Sequence, residues 1–480
     1  MPARLPRPLV CAGLALALLA GCAGSDPDGP PPADTAAEPG ERAGAYPDRV
    51  TLTWAEDPAT SLSVSWRTDT SAGPPTAQIA PARAEPSFYT KARTVAATSH
   101  GLDIPGVPPD SVDAPFQYHS ATFTGLQPDS TYAYRVGDGT HWSEWFHAET
   151  ADADPAPFSF VYLGDAQNNL DSHWPRALRA AYAHAPDAAF MVHAGDLINH
   201  GDRNVEWARW HRAGDWIQST VPTVPVPGNH EYYGGGEWDR LDQLLPDDNP
   251  HLSVHWRPQF ALPDNGPEGL TETVYHLDHQ GLRLIALNSM AAKLDPAMRR
   301  RQTEWLETTL RDTDARWVVV TMHHPIFSSS EGRNNEALRR AWRPLFEEHG
   351  VDLVLQGHDH TYARGASRNL AQGVNARPAG GPVYVNSVSG AKMYELKGDR
   401  WGGYDGVEQQ RGAENTQLFQ VVDVGPDTMA YRSYTVTGTR YDAFDLVRRP
   451  DAPNRLIDRV PDGARERTHD NTLPYERPER

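Results

Sequence analysis

Cysteine is almost absent from this chain of 480 residues: there are two, Cys11 and Cys22, and both lie near the start of the sequence. The remainder can therefore hold neither a disulfide nor a metal site built from thiolates. Long apolar runs are also missing, since the stretch from Leu9 to Ala20 is too short to span a bilayer. With 39% hydrophobic residues and a mean hydropathy of -0.60, the composition is typical of a globular protein.

Positive charge is scarce as well, with a formal net charge of -19 and an isoelectric point near 5.5. A nucleic-acid-binding protein needs a basic face to neutralise phosphates, so we expect no such surface here. A small phosphate ester remains allowed as a substrate, because bound metal ions can outweigh the field of a distant acidic surface. The sequence does not predict an oligomeric state.

Residues 1–22 have the pattern of a signal peptide, with Arg4 and Arg7 ahead of the apolar stretch and small residues before Cys22. The string Leu-Ala-Gly-Cys at 19–22 resembles a bacterial lipoprotein box, in which the cysteine is acylated and becomes the mature N-terminus. The alternative is an ordinary secretory signal in which Cys22 has no role. Either interpretation predicts a protein outside the cytoplasm, and the first predicts a membrane contact through the lipid anchor alone.

Residues 23–45 are rich in Pro, Gly, Ala and Asp and are predicted to form a disordered tether. Short alternating runs follow, such as Val50 to Trp54 and Leu62 to Trp66, and these predict the strands of a sandwich. The segment from His119 to Tyr134 resembles the end of a fibronectin type III domain, with a Leu-x-Pro turn before a Tyr-x-Tyr strand. We therefore predict an all-β domain over residues 46–150, without a catalytic cluster.

From residue 157 the pattern becomes strand, loop, helix, which predicts an α/β domain over residues 157–440. The predicted strands are 158–163, 188–194, 316–322, 351–355 and 380–394 with a hairpin at 273–288, and the predicted helices are 175–184, 204–219, 297–311 and 336–349. Residues 448–480 carry mixed charge, contain prolines and show no apolar period, so they are predicted to be a disordered tail.

Polar side chains follow the carboxyl ends of these strands, where open α/β sheets place their sites. They belong to five short motifs, which are Gly164-Asp165, Gly195-Asp196, Gly228-Asn229-His230-Glu231, His323-His324-Pro325 and Gly357-His358-Asp359-His360. Taken singly, each Gly-Asp pair fits a turn capped by aspartate better than a metal site. Taken in order, the five resemble the signature of the calcineurin-like metallophosphoesterases. That resemblance implies a four-layer αββα sandwich.

Within this superfamily the chain is most similar to bacterial purple acid phosphatases. The similarity rests on the fibronectin-like domain ahead of the α/β domain, on Gly-His-Asp-His-Thr-Tyr-Ala-Arg at 357–364 and on the segment 380–394. The resemblance implies two metal ions bridged by Asp196, because a carboxylate must offset the repulsion of two neighbouring cations. It gives one ion Asp165, Asp196 and His360, and the other Asp196, Asn229, His323 and His358.

The same resemblance implies hydrolysis of a phosphate monoester by attack of a metal-bound hydroxide, with His230 stabilising the transition state or protonating the leaving group. Glu231 either orients His230 or is an ordinary carboxylate at a helix start. Arg364 and Tyr362 either touch the substrate or pack within a loop. His324 is expected to support the ligands rather than bind metal, since the family ligand lies two residues before the proline.

Two positions depart from the purple pattern. Asn199 stands where purple members have the tyrosine whose phenolate binds ferric iron, so two divalent ions, Fe, Zn or Mn, are expected in place of a ferric one. Gln167 stands where many relatives have a histidine ligand and purple members a glycine. It either offers a carbonyl oxygen to the first metal or bonds a neighbouring loop.

Other functions fit the sequence less well. A zinc peptidase would need His-Glu-x-x-His, but His230-Glu231-Tyr232-Tyr233 is followed by Gly234, and no Gly-x-Ser-x-Gly motif is present for a serine hydrolase. A phosphodiesterase or a nucleotide or pyrophosphate hydrolase would suit the same centre. A non-catalytic cell-surface binding protein is the remaining alternative, and the complete set of six ligands argues against it.

Overall fold

The computed structural model describes residues 42–102, 116–232, 252–371, 381–449 and 452–473. The predicted signal peptide with Cys22, and the predicted tether up to residue 41, lie outside these residues. Among the described residues, no helix combines the length and the apolar character that a membrane span requires.

Alternating apolar residues build the first part of the fold, a sandwich of two four-stranded sheets. Its strands are β1 (Asp48–Thr53), β2 (Leu62–Asp69), β3 (Thr76–Pro81), β4 (Arg93–Ala96), β5 (Thr98–Gly101), β6 (Phe116–Phe123), β7 (Thr131–Gly137) and β8 (Phe146–Glu149). The sheet orders are β1-β2-β6-β5 and β4-β3-β7-β8. Leu62, Val64 and Trp66 alternate along β2 and are fully buried in the core, as the period of a strand requires. The predicted all-β sandwich is confirmed.

The second part contains two seven-stranded sheets and the helices. Its strands are β9 (Phe158–Leu163), β10 (Met191–His193), β11 (Thr223–Pro225), β12 (Tyr275–His279), β13 (Leu282–Leu287), β14 (Trp317–Met322), β15 (Leu353–Gln356), β16 (Tyr362–Ser367), β17 (Val383–Asn386), β18 (Val407–Ala413), β19 (Leu418–Val424), β20 (Thr428–Thr435), β21 (Arg440–Arg449) and β22 (Ala452–Asp458). Its helices are α1 (Trp174–His184), α2 (Asn204–Gly214), α3 (Trp216–Thr220), α4 (Trp256–Gln259), α5 (Ser289–Leu294), α6 (Pro296–Arg311), α7 (Glu336–Glu348) and α8 (Arg368–Ala371).

The two large sheets pack face to face with helices outside. Their strand orders are β11-β10-β9-β19-β20-β21-β22 and β12-β13-β14-β15-β17-β16-β18. Along β14, Trp317 and Val319 belong to the core shared by both sheets, whereas Val318 and Val320 pack in a second cluster with Trp342 of α7. On the other side, α1 packs against β19. The four-layer αββα arrangement is therefore confirmed.

Three details of the sequence prediction are corrected. The predicted helix 204–219 is divided into α2 and α3, because Asp215 adopts a φ of 42° that interrupts the helical backbone. Of the described residues 381–394 in the predicted strand, only β17 is a strand. The predicted disordered tail is wrong for residues 452–458, since β22 pairs antiparallel with β21 and the sheet continues past residue 440. β22 is a half-exposed edge strand with polar residues and Pro453, and such an edge shows no apolar alternation.

Buried hydrogen bonds join the first sandwich to the second part of the fold. The Tyr134 hydroxyl donates to the Ser219 carbonyl at 2.5 Å, and the Ser219 hydroxyl donates to the Val50 carbonyl at 2.9 Å. The Thr53 hydroxyl donates to the Ala261 carbonyl at 2.7 Å. Apolar side chains of both parts also belong to one continuous core. The described residues accordingly form one compact unit.

Candidate metal centre

All six side chains predicted as ligands meet at the carboxyl ends of parallel strands of the two large sheets. Asp165 follows β9, Asp196 follows β10 and Asn229 follows β11, while His323 follows β14 and the pair at 358 and 360 follows β15. Because strand ends of both sheets lie at one edge of the sandwich, residues far apart in sequence become neighbours.

His323 is the centre of one half of this cluster. Its Nε2 lies 3.1 Å from Oδ2 of Asp196, from Oδ1 of Asn229 and from Nδ1 of His358. Nδ1 of His358 is also 3.0 Å from Oδ1 of Asn229. Four potential ligand atoms from four different strand ends thus converge.

Asp165, Asp196 and His360 form the other half, each offering one ligand atom within 4.8 Å of the others. Nε2 of His360 lies 4.0 Å from Oδ1 of Asp165. Asp196 belongs to both halves. Imidazole and carboxylate donors are ligands that divalent transition-metal ions prefer. The two halves therefore fit two such ions that share the carboxylate of Asp196.

The backbone of the ligand loops is bent into an unusual conformation. Asp165, Asp196, His358 and His360 have φ values of 40°, 52°, 76° and 51°, in the left-handed region that non-glycine residues rarely adopt. Each such residue costs of the order of 1–3 kcal/mol, which the surrounding fold must offset. At Gly228 a Cβ atom would lie 2.1 Å from Oδ1 of Asp196, so only glycine permits this approach.

Backbone carbonyls orient two of the imidazoles. Nδ1 of His323 donates to the carbonyl of Ala194 at 2.9 Å, and Nδ1 of His360 donates to the carbonyl of Lys392 at 3.0 Å. Each bond places the ring proton on Nδ1 and leaves the lone pair of Nε2 directed into the cluster, which is the usual way a metal-binding histidine is held.

The charges within the cluster shift one another's ionisation. Burial raises the pKa of Asp165 to about 7. Burial acts in the same direction on Asp196, but the attraction of His323 and His230 outweighs it and holds the pKa of Asp196 far below its usual range. Burial opposes the charged form of His323, yet the neighbouring Asp196 raises the pKa of that imidazole to about 9. Asp165 and Asp196 are thus two buried carboxylates with the single imidazolium of His323 between them. A bound cation would stabilise the ionised form of both, so the site suits cations.

His230 lies beside the cluster and points into it. Its Nδ1 donates to the carbonyl of Asn199 at 2.6 Å, which leaves Nε2 at 3.9 Å from Oδ2 of Asp196. The residue is 6% exposed, and burial lowers the pKa of its imidazole to about 4.

Glu231 contacts neither His230's ring nor a solvent-exposed helix start. Its carboxylate accepts backbone N–H groups from Asp196 at 2.9 Å, Leu197 at 2.8 Å and Gly228 at 2.6 Å. Both interpretations of this residue from the sequence were therefore wrong, because its partners are backbone groups that no motif reveals.

Tyr362 and Arg364 are fully buried and pack within the fold. The Tyr362 hydroxyl donates to Oδ2 of Asp442 at 2.6 Å, and the Arg364 guanidinium donates to both oxygens of that carboxylate at 2.7 and 2.9 Å. The packing alternative is correct for both residues, and neither is free to touch a substrate.

His324, Asn199 and Gln167 take different positions. Nδ1 of His324 is bonded to the Ser289 hydroxyl at 2.9 Å, although one of its ring nitrogens also lies within 4.8 Å of those of His323 and His358. The Asn199 amide lies beside the ring of the adjacent histidine, with Nδ2 3.1 Å from its Nδ1. The Gln167 amide is completely buried inside the cluster.

Sequence reasoning missed a cationic group beside the cluster, formed by Arg333, Lys392 and Tyr394. The Tyr394 ring packs edge-on against His360 with centroids 4.8 Å apart, and its ring centroid is 4.9 Å from Arg333 Cζ and 5.8 Å from Lys392 Nζ. The distribution of lysine could have indicated this group, since the chain has only four lysines and three of them lie between residues 293 and 397.

Known protein families match both parts of this fold. The family description "Purple acid Phosphatase, N-terminal domain" matches residues 47–150, and "Calcineurin-like phosphoesterase" matches residues 158–362. An uncharacterised protein of Mycobacterium tuberculosis is 26% identical over 385 residues, covering 72% of this chain and 67% of that protein. A purple acid phosphatase of Glycine max is 25% identical over 301 residues, covering 58% of this chain and 61% of that protein.

A solved structure shares the fold. The purple acid phosphatase from seeds of yellow lupin, Lupinus luteus, superposes with a TM-score of 0.67 at 18% identity, covering 85% of this chain and 75% of that chain. The chain thus belongs to the calcineurin-like phosphoesterases. Within that class it has the architecture of the purple acid phosphatases, with their N-terminal domain ahead of the phosphoesterase domain. The family uses a dinuclear metal centre, which makes this chain a metal-dependent phosphatase.

Proposed function

We propose that this protein hydrolyses phosphate monoesters at a centre of two divalent ions held by Asp165, Asp196, Asn229, His323, His358 and His360. The observation that carries the proposal is the position of Asp196, whose Oδ2 is 3.1 Å from His323 Nε2 in one half of the cluster while the same side chain belongs to the other half. A carboxylate in that position is suited to bridge two cations.

The ligand roles follow from which atoms face the cluster. Nε2 is the metal-binding atom of His323 and His360, because Nδ1 of each ring donates to a backbone carbonyl. Nδ1 is the corresponding atom of His358, which lies 3.0 Å from Asn229 Oδ1. His323 rather than His324 is assigned as the ligand, since its Nε2 lies 3.1 Å from three other donor atoms. The proposed ions are Zn, Mn or ferrous Fe.

When bound, the two ions supply Lewis acidity for the phosphoryl oxygens and lower the pKa of a water molecule. The protein's own contribution beyond ligation is His230. Because its Nδ1 is fixed by Asn199, the ring presents Nε2 toward the side of the cluster occupied by Asp196. There it can bond a phosphoryl oxygen or the oxygen of the leaving group.

A second candidate substrate class, phosphoanhydrides such as pyrophosphate and nucleotides, is favoured by the cationic group of Arg333, Lys392 and Tyr394. Its two cations stand over one ring that packs against His360. In a protein with a net charge of -19, cations gathered at this point suit a substrate with a second anionic group.

Metal analysis followed by turnover measurements tests the proposal. The purified protein should contain about two ions per chain and hydrolyse p-nitrophenyl phosphate faster than its bis-ester, and both pyrophosphate and a nucleoside diphosphate belong in the panel. Asp196→Ala should lose activity and lower metal content at both positions, because one carboxylate serves both ions. Wild-type activity in Asp196→Ala, or a wild-type protein unable to bind metal, overturns the assignment.

The proposed setting is the outside of the cytoplasmic membrane, with the chain attached through a lipid on Cys22. The support is the sequence at 19–22 and the apolar stretch before it. Expressed in a bacterium, the full chain should fractionate with membranes and incorporate labelled palmitate. Cys22→Ala should abolish the label and release the protein from the membrane fraction, whereas unchanged membrane association would contradict the anchor.

A further inference from the structure

We propose that Gln167 is a ligand of the first metal ion through its side-chain amide oxygen, at a position where many relatives use an imidazole and purple members have a glycine that offers no side-chain donor. The inference rests on the proposed metal centre and adds a donor to the half formed by Asp165, Asp196 and His360. It also explains how that half can hold an ion although the tyrosine of purple members is replaced by Asn199.

The position of the Gln167 amide is the first observation. The residue is completely buried, and its Nε2 lies 3.1 Å from Oδ2 of Asp196 and 3.0 Å from Nε2 of His360. Both of these neighbours are proposed ligand atoms of the first ion. The terminal amide therefore stands within the half-site and not against a neighbouring loop.

The state of the amide oxygen is the second observation. Oε1 of Gln167 is buried and has no hydrogen-bond partner among the described residues. Leaving a buried carbonyl oxygen without a partner costs about 1–3 kcal/mol, and native structures rarely tolerate it without a reason. This oxygen belongs to the same amide group as the Nε2 atom that contacts two proposed metal ligands, so its lone pairs are available for a metal ion.

A bound cation would reverse the orientation of the amide. In the present arrangement the NH₂ group donates to lone pairs of Asp196 and His360, but those are the lone pairs that a cation would take. An N–H group directed at a cation is repelled by it. A half-turn of the amide exchanges two atoms of nearly equal size and puts the oxygen where the nitrogen now lies.

The chemistry of this donor fixes what kind of ion it suits. An amide oxygen is a hard, neutral ligand, so it adds a bond without adding negative charge. The first half-site then has two carboxylates, one imidazole and one amide, and it favours a divalent ion over a ferric one. Replacement of the amide by a carboxylate should shift that preference toward the more highly charged ion.

Calorimetric titration of the metal-stripped full chain with Mn²⁺ or Zn²⁺ tests the proposal, with metal content after dialysis as a second readout. Wild type should bind two ions. Gln167→Leu, which has similar volume and no donor, should bind one ion as wild type does and the other roughly tenfold or more weakly. Gln167→His should restore the affinity, and Gln167→Glu should raise it and increase the share of Fe³⁺ retained. The matched control is Gln218→Leu on α3, a buried glutamine packed near β1 and β8, which should leave both affinities unchanged.

The outcomes separate this inference from the proposed function. If wild type binds no metal, the metal centre itself is wrong. If wild type binds two ions and Gln167→Leu binds both equally well, Gln167 is not a ligand and the centre stands. Should Gln167→Leu fail to fold by circular dichroism, Gln167→Glu decides, because an affinity and an ion preference equal to wild type in that variant overturn the inference.

Discussion

The carboxylate of Glu231 accepts the backbone N–H of Asp196 at 2.9 Å, although the two residues follow different strands. The same Oε2 atom accepts the N–H of Gly228 at 2.6 Å, and Oε1 accepts that of Leu197 at 2.8 Å. Glu231 thus fixes the loop of the proposed bridging ligand to the loop of Asn229, and it is a positioning residue rather than a ligand.

Glu231→Gln should weaken metal binding and lower thermal stability, because an amide NH₂ would face backbone N–H donors that now have an acceptor. The loss of one such buried partner costs about 1–3 kcal/mol. Activity should recover as the metal concentration is raised, which is measured by titrating Mn²⁺ into the assay. Glu206→Gln is the control, since its carboxylate binds the N–H groups of Asn199 and His200 instead. Metal affinity equal to wild type in Glu231→Gln would contradict the positioning role.

His230→Ala should retain both metal ions and lose roughly two to four orders of magnitude in turnover, as removal of an acid or charge stabiliser usually does. The reason is that no ligand depends on the ring: its Nδ1 is bonded to Asn199 and its Nε2 is 3.9 Å from Asp196. Metal content and kcat are measured on the same sample. His200→Ala, at a half-exposed histidine bonded to Glu206, serves as the control. Loss of metal from His230→Ala would show instead that this ring is a ligand.

The iron-loaded, oxidised protein should show no purple band. That band requires a phenolate on ferric iron, and the amide of Asn199 cannot supply it. Two tyrosines near the motifs are engaged elsewhere, since Tyr232 accepts from the Asn288 amide at 2.7 Å and Tyr362 donates to Asp442. A visible spectrum checks the prediction. If a strong band appears, Tyr394→Phe identifies or excludes the ring that packs against His360.

The free energy of unfolding should fall as pH rises, because the buried carboxyl of Asp352 must ionise in the folded state. Burial raises the pKa of its carboxyl to about 7, against a hydrogen bond from the N–H of Val318 at 2.8 Å and one from the Asn454 amide of β22. The unfolded value is about 3.9. Because the folded state binds this proton more tightly, the contribution is fully present below about pH 4 and is lost between pH 4 and 7. At about 1.36 kcal/mol per pKa unit the loss is up to roughly 4 kcal/mol.

Thermal unfolding at pH 4.5, 6 and 8 in the presence of a chelator measures this effect. In Asp352→Asn, which stays neutral, the fall in stability over this range should be smaller than in wild type. Asn454→Ala should extend the fall to higher pH, since that amide favours the ionised carboxylate. Identical pH profiles in all three proteins would rule out Asp352 as the cause.

Much of the fold could be predicted because its signals are local. The alternation in β2 and the strand-loop-helix order from Phe158 onward each reflect a single element and its period. The motif residues at the strand ends came together for the same reason, since parallel strands end at one edge. β22 escaped prediction because an edge strand has no buried face to impose an apolar period.

Other features depend on contacts that no sequence period encodes. Glu231 accepts hydrogen bonds from the backbone N–H groups of residues 196, 197 and 228. Nothing in the sequence shows which acceptor side chain would bond these N–H groups. Tyr362 and Arg364 bond Asp442, about 80 residues later in the chain. The orientation of the Gln167 amide depends on the packing of three separate loops. Such pairings are settled by the tertiary structure, and a motif shows only that polar side chains are available.

The bonds from Tyr134 to Ser219, from Ser219 to Val50 and from Thr53 to Ala261 have a consequence for how this protein can be divided. If the chain were divided at residues 150–157, hydroxyl and carbonyl groups on both fragments would lose their hydrogen-bond partners. The apolar side chains of the common core would also become exposed to water. Neither fragment would be a ready-made part for transfer into another protein. Two sequence families meet at this junction, but their structures share one core and are not separable domains.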